Sequence, residues 1–176
     1  MGQYYYVVNL DKRQYLHPHK FCDGLKLLEF GCSMEGTMTG LAILLADGNN
    51  RGGGDLRSEH PIIGSWAGDR IVIAGDYADP HKFVPEDVDA TLKAKMLQDQ
   101  ATRKDLTGQQ IAEYAEANCN LYQCAQEFFE DISDQIIRVM CEDTYLRKTL
   151  LEKGVVRKRN EPAKETALRQ EPLEID

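Results

Sequence analysis

The sequence has no long apolar run, and its first residues do not have the pattern of a secretion leader. Its longest apolar stretch, Leu41 to Ala46, is far shorter than the about 20 residues that a membrane-spanning helix requires. The N-terminus begins Met-Gly-Gln-Tyr-Tyr-Tyr and lacks the basic segment and the apolar core of a signal peptide. We therefore expect a cytoplasmic protein that does not enter the membrane.

The sequence also lacks the cysteine pattern of a disulfide-rich or zinc-binding protein. Its 5 cysteines are odd in number and widely spaced, and they contain no Cys-x-x-Cys pair, so we expect buried, reduced thiols. No metal and no cofactor is predicted, because the residues with zinc-binding atoms do not have the spacing of a known zinc module. These residues are His17, His19, Cys22 and Cys32.

Basic residues are too few to predict a nucleic-acid-binding surface. The chain has 21 lysines and arginines against 29 acidic residues, and its formal net charge of −8 would repel a phosphate backbone. No glycine-rich loop ends in Gly-Lys-Ser or Gly-Lys-Thr, and no Gly-x-Gly-x-x-Gly motif occurs. We expect the partner to be a protein or a small anionic ligand instead.

What the sequence does have is the size and composition of one globular domain, with 176 residues of which 42% are hydrophobic. The aromatic and β-branched run within Gln3–Leu10 predicts a strand that is buried on both faces. Tyr15 and Leu16 predict a second strand, which Pro18 should restrict to a sheet edge. Periodicity leaves Leu25–Phe30 open between strand and helix, and the bracketing glycines favour a strand.

A helix and a hairpin are predicted next along the chain. Apolar residues at helical spacing predict a helix over Thr37–Ala46, with Thr37 as its N-cap and Gly48 as its ending glycine. Two β-branched runs, Ile62–Trp66 and Arg70–Ala74, flank a Gly-Asp pair, which predicts a β-hairpin.

Helical periodicity dominates the second half of the chain. The predicted helices are Glu86–Gln100, a short helix from Ile111 after a Thr107 and Gln110 capping box, one long helix from Asn120 to about Cys141, and Thr144–Lys153.

This layout predicts an α+β fold, in which an antiparallel or mixed sheet from the N-terminal half is packed by helices mainly from the C-terminal half. We expect one domain over residues 1–154 and a flexible charged tail over residues 155–176.

The segment from Asp47 to Ser58 has the most unusual composition. Its three consecutive glycines permit positive φ angles, which a loop needs if its N–H groups are to surround an anion. Arg51 and Arg57 would add bidentate donors for phosphate or carboxylate. Two interpretations remain open, a mobile connector and a ligand-contacting loop.

Acidic and aromatic residues extend this candidate site. Asp55 and Asp76 could hold a divalent cation or act as an acid–base pair if they converge, although such acids commonly cap turns. Trp66, the single tryptophan, is either a core residue or a stacking platform. The predicted ligand-binding residues are Arg51, Asp55, Arg57, Trp66 and Asp76.

Two functions follow from this segment. The leading hypothesis is an acidic binding or regulatory module that uses loop 47–58 and hairpin 62–77, because no catalytic set is complete. The alternative is an enzyme acting on a phosphorylated or nucleotide-like substrate, with arginine clamps for the anion and Asp55 or Asp76 as base or metal ligand.

Overall fold

Strands from the first half of the chain and helices mainly from the second half form an α+β fold in the part that the computed structural model describes, residues 2–103, 105–157 and 173–174. The strands are β1 (Tyr5–Asn9), β2 (Gln14–Leu16), β3 (Ile71–Gly75), β4 (Glu130–Asp131), β5 (Val156–Arg157) and β6 (Leu173–Glu174). The helices are α1 (Leu27–Gly31), α2 (Thr37–Leu45), α3 (Glu86–Ala101), α4 (Gly108–Ala117), α5 (Leu121–Phe128), α6 (Ser133–Met140) and α7 (Thr144–Lys153). The predicted fold class is confirmed.

The main sheet is mixed and has the strand order β3-β1-β2-β4. β1 runs antiparallel to β2 and to β3, whereas β2 runs parallel to β4. The prediction of an edge position for β2 is wrong, because β4 pairs with its outer side. Pro18 does not interfere, since it lies beyond the strand, at the first position of a 3₁₀ helix over Pro18–Phe21.

Both faces of the sheet are covered, so the core has two parts. Side chains alternate along a strand, and on β1 Val7 enters one apolar cluster while Tyr6 and Val8 enter the other. The first cluster contains residues of α2, α6 and α7, and the second contains residues of α3, α4 and α5. The predicted two-sided burial of the first strand is confirmed.

The predicted long helix from Asn120 to Cys141 is wrong, because the chain is divided there between α5 and α6. Cys124 of α5 is buried in the second cluster, and Ile136 of α6 is buried in the first. A straight helix could not serve both faces of the sheet. The chain instead crosses at β4, where the Ile132 N–H donates to the Tyr15 carbonyl at 3.1 Å.

The predicted hairpin is also wrong. Residues 61–69 form turns, and β3 pairs with β1. The N–H groups of Gly64 and Trp66 donate to the carbonyls of Ile43 and Leu44, at 2.9 and 2.8 Å. These carbonyls belong to the last turn of α2, where a carbonyl lacks the N–H of residue i+4 as its partner. The segment is therefore held by the end of a helix and not by a second strand.

Residues 25–30 form no strand either, since α1 begins at Leu27. The Lys26 N–H donates to the Glu29 carboxylate at 3.1 Å, a contact that favours the start of a helix. The predicted cap of α2 differs as well. Thr37 is the first helical residue, and its N–H donates to the carboxylate of Asp23 at 2.8 Å. α2 ends at Leu45, and Ala46 is its C-cap, so Gly48 lies beyond the end of the helix.

Three predicted helices are present. α3 starts at Glu86 as predicted. α4 has the predicted capping box, in which the Thr107 N–H donates to the Gln110 side chain at 2.9 Å, but it begins at Gly108, three residues before the predicted start at Ile111. α7 spans Thr144–Lys153 and ends at Gly154, which has a φ of 81°. No helix of the described residues combines the length and the apolar character that crossing a bilayer requires.

The predicted tail begins inside the core. Val155 and Val156 are buried, with 3% and 2% exposure, in the first apolar cluster. β5 pairs in parallel with β6. The rest of the predicted tail, residues 158–172 and 175–176, lies outside the described residues.

Candidate functional site

The glycine-rich loop 47–58 is closed at its base by one of its own side chains. Asn49 donates from its side-chain amide to the carbonyls of Leu56 and Ser58, at 2.7 and 2.9 Å, and so closes the base of the loop. Leu56 is buried, with 9% exposure. The two ends of the loop are therefore joined by hydrogen bonds, and the loop has one defined conformation.

The three adjacent glycines are needed for the path of the backbone at the loop tip. Gly52, Gly53 and Gly54 have φ angles of 94°, 66° and 112°. L-residues avoid this region because their Cβ atom crowds the backbone. The glycines thus serve loop conformation, which does not by itself distinguish a binding loop from a connector.

A cavity of about 450 Å³ lies between the first part of this loop and the segment that returns to the protein. Its volume falls within the range of about 300–1,000 Å³ that is common for small-molecule sites. The lining residues are Ala46, Gly48, Asn49, Asn50, Arg51, Ser58, Glu59, His60, Pro61 and Ile63.

Arg51 supplies the positive charge of this cavity. Its guanidinium forms no ion pair with any described residue, whereas every described lysine does. Of the other described arginines, Arg13, Arg70 and Arg103 form ion pairs and the rest do not. Asp55 is the nearby acid in the loop, but its carboxylate accepts from the Arg51 backbone N–H at 2.8 Å. The Arg51 side chain is therefore available to a ligand.

His60 adds a hydrogen-bond donor. Its Nδ1 accepts from the Ile62 N–H at 3.2 Å, which places the proton of a neutral ring on Nε2. The His60 N–H itself donates to the Ser58 hydroxyl oxygen at 3.2 Å. Backbone contacts thus orient the imidazole, and Nε2 can donate to a ligand.

Glu59 is the acid in the cavity lining. One of its carboxylate oxygens accepts from the Asn50 side chain at 3.4 Å. The other oxygen has no hydrogen-bond partner among the described residues. A ligand that fills the cavity would therefore meet a guanidinium, an imidazole donor and a carboxylate acceptor.

The predicted site residues do not all meet at this cavity. Arg51 lines it, whereas Asp55 binds the loop backbone and Arg57 is exposed outside the lining. Trp66 is fully buried, with 0% exposure, and its indole N–H donates to Gln14 at 2.9 Å. It is a core residue in this conformation and offers no face to a ligand.

Asp76 lies at the other end of β3 from the turns that precede the strand. The strand contains five residues, a length of about 17 Å. The Asp76 carboxylate accepts from the Tyr4 N–H at 3.0 Å, and its carbonyl accepts from Asn120, the N-cap of α5. Asp76 therefore joins β1, β3 and α5, and it does not line the cavity.

A second polar cluster surrounds Asp23, whose residue exposure is 6%. Its carboxylate accepts from the N–H and hydroxyl of Thr37, from the Ser33 hydroxyl and from the Lys153 ammonium. The ammonium also contacts the Ser33 oxygen at 2.8 Å. Because the acid is fully satisfied, this cluster ties α1, α2 and α7 together and leaves no group open for chemistry.

The histidines and cysteines considered for zinc do not form a metal cluster. His17 and His19 lie with ring centroids 5.5 Å apart, and the His17 Nδ1 accepts from the His19 N–H at 3.3 Å. No group of three or more histidine, cysteine or acidic side chains in the described part of the chain is arranged to hold a metal ion.

Comparison with protein-family models, with curated proteins and with solved structures finds no match to this chain. The function must therefore be argued from the cavity itself.

The sequence analysis identified the loop but not three residues of its site. Asn49, Glu59 and His60 are not among the predicted ligand-binding residues. These positions carry no local signal, because the cavity that contains Glu59 and His60 forms only in the folded chain, and the bonds of Asn49 to Leu56 and Ser58 form only when the loop closes.

Proposed function

We propose that this protein is a cytoplasmic binding protein that holds a small hydroxylated anion, such as a sugar phosphate, in the cavity beside loop 47–58. Arg51 binds the anionic group, His60 donates from Nε2, and Glu59 accepts from a ligand hydroxyl. Cys32, Cys119, Cys124 and Cys141 form no disulfide, which fits a reducing compartment.

The observation that carries the proposal is the unpaired guanidinium of Arg51 at the cavity wall. Arg13, Arg70 and Arg103 each pair with a nearby acid, whereas Arg51 does not, although Asp55 lies in the same loop. Asp55 is engaged by a backbone N–H instead. Arginine is the side chain best suited to bind phosphate or carboxylate in a bidentate manner.

The binding function has more support than the enzymatic alternative. The alternative requires Asp55 or Asp76 to act as base or metal ligand beside the arginines. Asp76 is distant along the strand and bound to Tyr4, and Asp55 is bound to the backbone of Arg51. Neither of the acids assigned to chemistry lines the cavity with Arg51.

The test is a titration of the full chain with ribose 5-phosphate and, separately, with inorganic phosphate, followed by calorimetry and by amide chemical shifts. We expect ribose 5-phosphate to bind and to shift residues 48–63. Arg51→Ala should weaken binding at least about tenfold, because a hydrogen bond to a charged group contributes roughly 1.5–3 kcal/mol.

Arg57→Ala is the matched control, since Arg57 lies in the same loop and is exposed but does not line the cavity. Both variants should keep the melting behaviour of the wild type, as surface substitutions usually change stability by within about 0.5 kcal/mol. Absence of binding by both probes, or equal weakening by the two substitutions, would refute the proposal.

A further inference from the structure

β3 leaves one edge of the sheet open. It pairs with β1 on one side only, and no other described strand adjoins it. The Leu10 N–H donates to the Arg70 carbonyl at 3.0 Å, and the Asp76 N–H donates to the Tyr4 carbonyl at 3.0 Å. Because bonding alternates along an antiparallel pair, the even-numbered residues of β3 bond to β1 and the odd-numbered residues point their backbone groups outward.

The outward backbone groups form a row of unused donors and acceptors. They belong to Ile71, Ile73 and Gly75, and among the described residues a partner is present only for the Gly75 carbonyl, which accepts from the Ala78 N–H at 3.1 Å. Natural edge strands are usually protected by charges, prolines or bulges. β3 has the sequence Ile-Val-Ile-Ala-Gly and carries none of these residues.

Exposed apolar side chains accompany the open edge. Ile73, Tyr77 and Phe83 are 41%, 68% and 52% exposed. They line a common cleft of about 280 Å³ together with Val72 and other residues. The open backbone and the apolar surface therefore occur at the same place, as expected for a site where a strand is added to a sheet.

We propose that a second copy of this chain occupies this edge, with the two β3 strands antiparallel about a two-fold axis at Ile73. This register places Ile73 opposite its own copy and Ile71 opposite Gly75. Every outward-facing residue then meets another outward-facing residue. A shift by two residues would leave one of them unpaired, so the centred register satisfies the most backbone groups.

The charges that flank β3 fit the same register. Arg70 precedes the strand and Asp76 follows it, so the two-fold axis brings Arg70 opposite Asp76 of the partner subunit. The Arg70 side chain is 74% exposed, although its guanidinium already contacts Asp11 at 2.8 Å. The ends of the strand are thus self-complementary, as an isologous dimer requires. The two sheets would join into one continuous sheet.

Cysteine cross-linking tests the register. Hydrogen-bonded residues opposite each other in an antiparallel pair have Cα atoms about 5.5 Å apart, within the range of about 4.4–6.8 Å that a disulfide spans. Ile73→Cys in the full chain, with the exposed Cys32 replaced by serine, should therefore form a covalent dimer under mild oxidation.

Tyr77→Cys in the same background is the control. Tyr77 is more exposed than Ile73 but lies off the axis, beyond the end of β3. We expect it to cross-link at least tenfold more slowly. Equal rates for the two variants, or no covalent dimer of Ile73→Cys, would overturn the proposal.

Sedimentation equilibrium over a concentration series supplies a second measurement, in about 0.15 M salt to screen the repulsion between two acidic chains. The wild type should show a monomer–dimer equilibrium, and Ile73→Lys should raise the dissociation constant at least tenfold by placing like charges opposite each other. Ile73→Thr retains a β-branched side chain and controls for loss of strand structure. A wild type that stays monomeric, or a dimer that Ile73→Lys leaves intact, would overturn the proposal.

Discussion

At the scale of single residues, Gly64 connects the turns before β3 to the end of α2. Its N–H caps α2 through the Ile43 carbonyl, and its φ is 71°. A Cβ atom added there would lie 2.4 Å from the carbonyl oxygen of Ala46. Both the backbone conformation and the available space therefore require glycine.

Gly64→Ala should destabilise the protein more than Gly68→Ala, which is its matched control. Gly68 has a φ of 85° but no atom within 4 Å of an added Cβ, so alanine there costs only the left-handed strain of about 1–2 kcal/mol. At Gly64 the contact with a backbone oxygen adds to this strain. Urea unfolding of both variants measures the difference. Equal free energies of unfolding would contradict this prediction, because they would mean that the backbone at Ala46 moves away from the added Cβ atom without loss of stability.

The functional residues show why the site could be predicted only in part. Composition identified loop 47–58, since consecutive glycines with arginines are unusual in any connector. It could not identify Glu59 and His60, which join Arg51 only at the folded cavity, or the bonds of Asn49 that close the loop. Trp66 lies in the core, where its large apolar surface is buried, and it therefore cannot contact a ligand at the candidate site.

At the scale of helices and strands, the sequence predicts correctly those helix ends that depend on neighbouring residues in the chain. The capping box at Thr107 and the glycine at residue 154 define the start of α4 and the end of α7, and both were readable from the sequence. The predictions of a hairpin and of one long helix were wrong because the structure of these two segments depends on hydrogen bonds to residues distant in the sequence. Trp66 bonds to α2, and the segment after Phe128 bonds to β2.

The division of the chain between α5 and α6 leads to a testable prediction about the stability contributed by two adjacent phenylalanines. Phe129 is buried in the second cluster, with 8% exposure, whereas Phe128 only packs against that cluster. Phe129→Ala should cost about 3–5 kcal/mol, the range for a buried phenylalanine, and Phe128→Ala should cost less. A continuous helix would give no reason for this order. Chemical denaturation of both variants distinguishes the two, and the reverse order would contradict the observed crossing.

At the scale of the whole molecule, His81 ties the segment after β3 to α3 and α4. Its Nδ1 lies 2.7 Å from the Asp89 carboxylate and its Nε2 lies 2.8 Å from the Glu116 carboxylate. Both nitrogens can donate to these acids only when the ring is protonated. The hydrogen bonds to Asp89 and then to Glu116 raise the pKa of His81 above 6.5. The stability that this ring contributes is complete below the unfolded pKa and is lost as the pH rises through the folded pKa.

His17 acts in the opposite direction. Burial lowers the pKa of His17 from 6.5 to about 4, and its ring lies 4.8 Å from that of Tyr6. Between these two pH values His17 binds a proton in the unfolded chain but remains neutral in the folded chain. Stability must therefore fall as the pH decreases through this interval.

The two histidines together should place the maximum of stability near pH 6.5, the ordinary pKa from which they are shifted in opposite directions. His81→Asn, chosen because asparagine tolerates the positive φ of 61° at this position, should flatten the decline of melting temperature above that pH. His17→Asn, which keeps an acceptor for the His19 N–H, should flatten the decline below it. The acidic residues titrate in all three proteins, so the difference between each variant and the wild type isolates the histidine. Each substitution should leave the pH dependence of the melting temperature on the other side of the maximum unchanged. A His81→Asn protein whose melting temperature still declined fully above pH 6.5 would show that the contacts of this ring with Asp89 and Glu116 do not contribute to folding.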